Sequence, residues 1–174
     1  MIYEPAEDSI LLKKQLKNFI KKDIKVLDLG TGSGILVLEA KRLGANVLAS
    51  DINKECVEHV KKLGIKSVKS DLFENIKGKF DLIIFNPPYL PEEKLEPKDS
   101  ALSTTGGKKG NEILEKFLKQ AKSHLNKNGK ILVVFSSLTP NVDKLLIKYK
   151  YKFKKLDEQK LPMFEILYVY LLFE

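Results

Sequence analysis

Several residue types are scarce in this chain of 174 residues, and each scarcity narrows the class of protein. The single cysteine, Cys56, excludes an internal disulfide and cannot build a zinc site by itself, which fits a reducing compartment. Arg42 is the only arginine among 31 basic residues, and glutamine occurs three times, a bias shared by hyperthermophile proteins. No apolar run reaches the roughly 18 residues that a membrane helix needs, and the first residues do not resemble a signal peptide. We therefore expect a cytoplasmic protein with no metal site and no membrane segment.

The charged side chains of the sequence are mostly positive. Basic residues outnumber acidic residues by 31 to 23, which gives a formal net charge of +8. A positive surface attracts polyanions, or partners that work among them, but it identifies neither. The chain shows no basic stripe interleaved with aromatic residues, the pattern of single-strand nucleic-acid binders. Its length fits one domain, residues 1–174, and we find no repeat and no internal boundary.

Hydrophobic patterns alternate between strand and helix, which predicts a parallel sheet covered by helices on both faces. The first helix is predicted from about Asp8 to Lys21, with Asp8 or Ser9 as its N-cap. Thr139 and Pro140 are predicted to begin the last helix, as N-cap and first residue. Further helices are predicted over 35–43, after an Asn53 cap with Val57, Val60 and Leu63 on one face, and around 113–121. The predicted strands are Lys25–Leu29, Asn46–Ser50, Ile65–Ser70, Phe80–Phe85, Lys130–Phe135 (after an Asn128-Gly129 turn), Tyr151–Glu158 and Glu165–Phe173, the last two antiparallel.

The tetrapeptide Asn86-Pro87-Pro88-Tyr89 follows an apolar strand and is the most informative motif in the chain. Proline has a fixed φ and no N–H, and the residue before a proline is held extended, so this turn is stiff. It offers two acceptors, the Asn86 side-chain oxygen and the Pro87 carbonyl, beside the flat ring of Tyr89. Such a surface suits a planar NH₂ group, which donates two hydrogen bonds while its face stacks on the ring. The alternative is a rigid turn that only ends a strand.

Residues 90–110 follow this turn without helical or strand periodicity, and they contain several glycines and prolines. Structureless loops of about 20 residues are uncommon in compact domains unless they act as lids or binding loops. We therefore expect this segment to face the substrate.

A second motif, Gly30-Thr31-Gly32-Ser33-Gly34, lies between a predicted strand and a predicted helix. Glycines let the backbone approach a ligand closely, and the N–H groups at a helix start face that ligand. Asp51 ends the next strand, where a carboxylate can accept hydrogen bonds from both hydroxyls of a ribose. A nicotinamide dinucleotide would fit this much, but its fingerprint needs a third glycine at the position of Ile35.

The Gly-x-Gly-x-Gly form with Asp28 ahead of it resembles motif I of class I S-adenosylmethionine-dependent methyltransferases. That resemblance implies an α/β, Rossmann-like fold with a seven-stranded, mostly parallel sheet, an antiparallel last strand and helices on both faces. It also implies S-adenosylmethionine as cofactor, with Asp51 at the ribose, Asp71 near the adenine and the glycine turn around the methionine moiety. Ordering of the turn is an equally good interpretation of Asp28. For Asp51 and Asp71 the alternative is helix capping or solvation.

Three segments narrow the resemblance further: Tyr3–Ser9 before the first helix, Asn86–Tyr89, and Gly106-Gly107 in the long loop. Together they resemble the HemK-type protein-(glutamine-N5) methyltransferases over nearly the whole chain. The match is to their archaeal and eukaryotic-cytosolic branch, which modifies the glutamine of the Gly-Gly-Gln loop in class I translation release factors. The alternative acceptor is an exocyclic amine of a nucleobase in RNA or DNA. The alternative to an enzyme is a non-catalytic subunit that only scaffolds.

The resemblance also implies a partner. Bacterial members carry a separate N-terminal helical domain that grips the release factor, whereas here the catalytic pattern begins within the first few residues. In the matching branch, a small zinc-ribbon activator protein binds the catalytic subunit. We expect such a protein as heterodimer partner at Ile65–Ser70, a strand predicted to lie at a sheet edge.

The same resemblance assigns the site residues. The catalytic residues are Asn86, Pro87 and Tyr89. The substrate-binding residues are Asn86, Pro87, Pro88, Tyr89, Gly106 and Gly107. The cofactor-binding residues are Tyr3, Glu4, Pro5, Asp8, Asp28, Gly30, Thr31, Gly32, Gly34, Asp51, Ile52, Asp71, Leu72 and Asn86.

Overall fold

One sheet with helices packed around it is formed in the computed structural model, which describes residues 6–90 and 104–174. Its strands are β1 (Lys25–Leu29), β2 (Asn46–Asp51), β3 (Ser67–Lys69), β4 (Phe80–Phe85), β5 (Leu125–Ser136), β6 (Lys152–Lys160) and β7 (Ile166–Phe173). The helices described include α1 (Glu7–Leu16), α2 (Ile35–Arg42), α3 (Lys54–Lys62), α4 (Glu112–Ala121) and α5 (Val142–Lys148). Within the described ranges, every helix is too short or too polar to cross a membrane.

The strand order is β3-β2-β1-β4-β5-β7-β6. Strands β3, β2, β1, β4 and β5 pair in parallel, and β7 pairs antiparallel with both β5 and β6. The predicted seven-stranded, mostly parallel sheet is therefore confirmed, with β7 as its antiparallel strand. The chain moves outward from β1 to β3 and then returns to the other side of β1 as β4. Open sheets bind ligands at the carboxyl ends of the strands beside such a reversal.

The central strands are buried on both faces, which explains why their sequences are mostly apolar. Alternate residues of β1, β4 and β5 belong to two different core clusters. One cluster includes Leu27, Ile83 and Ile131 and packs with α4 and α5, and the other includes Val26, Ile84 and Leu132 and packs with α1 and α2. A strand held from both sides is rigid, so the residues at its carboxyl end are held in place.

The first helix differs from its prediction at both ends. Its N-cap is Ala6, so Asp8 and Ser9 lie inside the first turn, where both are buried. The helix ends at Leu16 instead of Lys21. The predicted cap was therefore wrong, because these two polar side chains serve contacts with another part of the chain.

Three further predictions were wrong in detail. Thr139 and Pro140 do not begin α5, which starts at Val142 after an Asn141 with a left-handed φ of 58°. Leu63 is 43% exposed, so it does not share the buried face of α3 with Val57 and Val60. The Asn128-Gly129 turn lies inside the long β5, whose pairing with β4 shifts register there.

Candidate functional site

The functional motifs meet because their strands are neighbours. Leu29, the last residue of β1, lies between Ser50 of β2 and Phe85 of β4 in the sheet register. The glycine turn after β1, Asp51 at the end of β2 and Asn86 after β4 therefore emerge side by side. This is the edge at which the reversal of strand order opens a crevice.

The glycine turn is tied to β2 and closely packed against α3. The N–H of Thr31 donates to the Ser50 carbonyl at 2.8 Å. Gly34, the N-cap of α2, has a φ of 83°, which side-chain-bearing residues rarely adopt. A Cβ at Gly34 would also lie 3.0 Å from a methyl group of Val60. Both observations require glycine at position 34. They give a structural reason for one glycine of a motif that also contains Gly30 and Gly32.

Asp28 lies beneath this turn and is completely buried. One carboxylate oxygen, Oδ2, accepts from the Thr31 hydroxyl at 2.7 Å and from the Val37 N–H at 3.2 Å. Burial raises the pKa of Asp28 to about 7, while the hydrogen bonds from Thr31 and Val37 act against it and nearby Asp51 adds to it. These contacts are those of a residue that orders the turn.

Asp51 stands at the mouth of the crevice. Its Oδ2 accepts from the Gly32 N–H at 2.9 Å, and its Oδ1 accepts from the Asn53 N–H at 2.8 Å. Burial raises the pKa of Asp51, and the backbone donors of Asn53 and Gly32 oppose that rise. The next residue, Ile52, leaves 48% of its surface exposed. A carboxylate next to an exposed aliphatic side chain suits a sugar joined to a flat base.

Two more of the predicted cofactor-binding residues follow the end of β3, beside those that follow β1 and β2. Asp71 is exposed, and Leu72 is half-buried with a φ of 46°. The Ser70 hydroxyl donates to the Leu72 carbonyl at 2.8 Å and fixes this backbone. Most of the predicted cofactor-binding residues thus lie at or after the ends of β1, β2 and β3, while Asn86 follows β4 and Asp8 lies in α1. Tyr3, Glu4 and Pro5 lie outside the described residues, and the binding roles stay predictions.

The Asn-Pro-Pro-Tyr motif is held by the first turn of α1. The side-chain NH₂ of Asn86 donates to the Ser9 hydroxyl oxygen at 3.1 Å. The Tyr89 hydroxyl donates to Oδ2 of Asp8 at 3.0 Å. Asp8 and Ser9 are each 4% exposed, whereas Asn86 and Tyr89 are half-buried, so both contacts are partly shielded from water. Asp8, predicted to bind the cofactor, is here a partner of the motif tyrosine.

Three buried side-chain oxygens in the described ranges have no hydrogen-bond partner: Oδ1 of Asp28, Oγ of Ser50 and Oδ1 of Asn86. They belong to the ends of β1, β2 and β4, which are adjacent. A buried polar atom left unpaired costs about 1–3 kcal/mol, and such atoms in folded proteins call for a specific explanation. Their grouping at one edge fits a polar ligand bound across these strand ends.

The glycine-rich segment after the long loop packs directly on the motif. Gly106 donates its N–H to the Leu90 carbonyl at 2.9 Å, and a Cβ there would lie 2.7 Å from the Pro88 carbonyl oxygen. Gly107 has a φ of 112°. The Glu112 carboxylate accepts from the N–H of Lys109 at 3.0 Å, and this contact ties the backbone of the segment to the start of α4. Gly106 is thus buried against the motif, and substrate binding by Gly106 and Gly107 stays a prediction. Residues 91–103 of the predicted lid lie outside the described residues.

Sequence reasoning missed three residues that support the site. Ser9 was interpreted as a helix cap, as was Thr139, whose hydroxyl donates to the Tyr89 carbonyl at 3.0 Å. Asn111 joins the start of α4 to the same region through a 2.8 Å bond from Nδ2 to the Pro140 carbonyl. The residue types carried a signal, since each is a small polar side chain near a turn. Their partners were not visible, because these contacts span long stretches of chain.

Seven strands in this order, with a glycine turn after the first and polar residues at the following strand ends, define a class I methyltransferase that uses S-adenosylmethionine. Comparison with protein families agrees with this class. Residues 7–161 match the family described as "Methyltransferase small domain", and the chain belongs to that family.

The chain is also similar in sequence to individual methyltransferases. Over 147 residues the chain is 44% identical to MJ0928 of Methanocaldococcus jannaschii, named as a candidate protein N5-glutamine methyltransferase, covering 79% of this chain and 74% of that protein. It is 32% identical over 126 residues to the release factor glutamine methyltransferase of Lactococcus lactis, covering 64% of this chain and 47% of that protein. The chain thus spans about half the length of this bacterial relative.

A solved structure resembles nearly the whole chain. It is the E. cuniculi Mtq2–Trm112 complex, described as responsible for methylation of the eRF1 translation termination factor. The TM-score is 0.79 at 26% sequence identity, and the match covers 98% of this chain and 97% of that chain. Together with the relatives, this neighbour confirms the resemblance to HemK-type enzymes and their archaeal and eukaryotic branch.

Proposed function

We propose that this methyltransferase transfers a methyl group from S-adenosylmethionine to the side-chain amide nitrogen of a glutamine in the Gly-Gly-Gln loop of a class I translation release factor. The observation that supports the proposal most directly is the hydrogen bonding of the Asn86 side chain. Its NH₂ group is engaged by Ser9, and its oxygen is buried without a partner in the described part of the chain. An unpaired acceptor beside the cofactor edge needs a donor, and an amide NH₂ provides one.

The chemistry requires positioning more than proton transfer. S-adenosylmethionine supplies a methyl group made electrophilic by its bond to a positively charged sulfur. The amide nitrogen of glutamine is a weak nucleophile, because its lone pair is delocalised into the carbonyl. Hydrogen bonds from its two N–H groups to Asn86 and to the Pro87 carbonyl favour a pyramidal nitrogen whose lone pair faces the methyl carbon. Fixed orientation of this kind contributes several orders of magnitude in rate.

The methyl transfer needs no strong base. The nitrogen–carbon bond forms as the carbon–sulfur bond breaks, and the sulfur keeps the electron pair. Positive charge develops on the nitrogen, next to the two acceptor oxygens that stabilise it. The nitrogen then releases one proton to water, because it becomes acidic only as the new bond forms.

The choice of glutamine over a nucleobase amine rests on the named activities of MJ0928, the Lactococcus lactis enzyme and the Mtq2–Trm112 complex. The motif itself accepts either planar amine. The test incubates the protein with labelled S-adenosylmethionine and either a class I release factor or total RNA, and mass spectrometry locates the methyl group. We expect label on the Gly-Gly-Gln glutamine and none when that glutamine is replaced by alanine. Label on RNA with an unmodified release factor would establish the nucleobase alternative.

A small zinc-ribbon activator protein is the proposed partner, docked on β3. Among the residues that the structure describes, this three-residue strand pairs only with β2, and it lies at one end of the sheet. Helix α3 packs against β3, and the large apolar side chain of Leu63 at the end of this helix is 43% exposed. An open strand edge beside an exposed apolar side chain accepts a partner strand readily. The proposal also draws on the Mtq2–Trm112 neighbour, which is a two-protein complex.

Copurification from the native cell, followed by gel filtration, tests the partner. We expect a heterodimer that Leu63→Asp disrupts. The matched control is Ile147→Asp, since Ile147 is 67% exposed on α5, a helix that contacts β6 at the opposite end of the sheet. Recovery of monomer alone would refute the partner without touching the proposed reaction.

A further inference from the structure

We infer that Ser9 is a positioning residue for catalysis: it holds the NH₂ group of the Asn86 side-chain amide, so that the oxygen is left for the substrate. This inference rests on the proposed function, because it concerns the acceptor that receives the substrate amide. Ser9 lies 77 positions away from Asn86 in sequence, and it reaches the motif only because α1 packs across the sheet.

The two orientations of the Asn86 amide differ by exchange of the oxygen and the NH₂ group, which have nearly the same shape. In the observed orientation Nδ2 donates to the Ser9 oxygen at 3.1 Å. The reverse orientation would place two N–H donors where the partnerless oxygen now lies. A substrate NH₂ group would then meet donors only, so the reverse orientation cannot bind it.

Ser9 is well placed to hold this orientation. It is 4% exposed and lies in the first turn of α1, so little water reaches its side of the contact. A serine hydroxyl oxygen carries two lone pairs, so it can accept the hydrogen bond from Asn86. The neighbouring Asp8 accepts from the Tyr89 hydroxyl at 3.0 Å. Consecutive residues of one helical turn thus orient the first and last side chains of the motif.

The test compares Ser9→Ala with Ser9→Thr, which keeps the hydroxyl. The control is Ser123→Ala, which also removes one serine hydroxyl hydrogen bond, a 2.7 Å contact to the Gln120 carbonyl just after α4. With the release factor as acceptor, we expect Ser9→Ala to lower kcat at least tenfold. We expect its Kd for S-adenosylmethionine by calorimetry to stay within twofold of wild type. Ser9→Thr should keep kcat within threefold, and Ser123→Ala should leave kcat unchanged.

A second measurement reports on Asn86 without turnover. In protein labelled with ¹⁵N, the side-chain NH₂ protons of Asn86 should exchange with solvent more rapidly in Ser9→Ala than in wild type or Ser123→Ala. A Ser9→Ala protein with wild-type kcat, or a Ser9→Thr protein as impaired as Ser9→Ala, would overturn the inference. Failure of the proposed function looks different, because wild-type protein would then leave the release factor unmethylated while the exchange experiment still reports the contact.

Discussion

Replacing Asp28 by asparagine should change how the stability of this protein depends on pH. Asp28 is 0% exposed, and one of its oxygens has no partner in the described residues. Burial raises its pKa from an ordinary value of 3.8 to about 7. Asparagine keeps an oxygen that can accept from Thr31 and Val37, and it carries no charge at any pH. The substitution therefore isolates the effect of ionising a buried carboxyl group.

The sign and size of this pH dependence of the free energy of unfolding follow from proton linkage. Between about pH 4 and pH 7 the folded protein holds a proton on Asp28 that the unfolded chain has released, so the unfolded state binds fewer protons. The free energy of unfolding therefore falls as pH rises through this window. A pKa raised from 3.8 to about 7 corresponds, at roughly 1.4 kcal/mol for each unit, to a total loss of about 4 kcal/mol. The contribution is complete below about pH 4 and lost above about pH 7.

Urea unfolding at a series of pH values measures this effect in wild type and Asp28→Asn. Other carboxyl groups, such as Glu39 and Glu115, whose pKa values are lowered by hydrogen bonds to basic side chains, affect both proteins equally. The difference between the two free energies should thus shift by about 4 kcal/mol across the window, in favour of the variant at higher pH.

A second variant sharpens the test. The Thr31 hydroxyl lowers the pKa of Asp28, so Thr31→Val should raise that pKa and move the loss of stability to higher pH. A difference between wild type and Asp28→Asn that stays flat from about pH 4 to pH 8 would show that Asp28 is charged in the folded protein at every pH tested. The argument from its burial would then be refuted.

Three other substitutions test the site. Asn86→Ala should abolish turnover while calorimetry shows nearly unchanged cofactor affinity, and a variant that methylates at the wild-type rate would remove Asn86 from the chemistry. Asp51→Ala should weaken cofactor binding by about 1.5–3 kcal/mol, the scale of lost charge-assisted hydrogen bonds, and equal affinity by calorimetry would contradict the assignment to the ribose. Gly106→Ala should lower stability in urea by about 1–3 kcal/mol, because its Cβ would lie 2.7 Å from the Pro88 carbonyl oxygen; an unchanged midpoint would show that the segment yields without strain.

Much of the fold was accessible from sequence, for local reasons. The bounds of β1 and β4 agree with prediction at both ends, because a strand buried on both faces needs a mostly apolar run that turn residues delimit. Asn53 caps α3 as predicted, with its side chain accepting from the Glu55 N–H at 2.9 Å. A cap depends on residues two or three positions apart, which a sequence displays directly.

The motifs by themselves determined the class of enzyme and its cofactor, because a glycine turn and a strand-ending Asn-Pro-Pro-Tyr carry their chemistry within a few consecutive residues. Only the tertiary structure decided what holds Asn86 and Tyr89, since Ser9 and Asp8 are 77 and 81 positions away. Their polar side chains satisfy the local rule for a helix cap equally well, so a sequence pattern cannot separate the two roles. Packing of α1 across the sheet brings them to the motif, and a hydrogen bond forms with whichever partner that packing supplies.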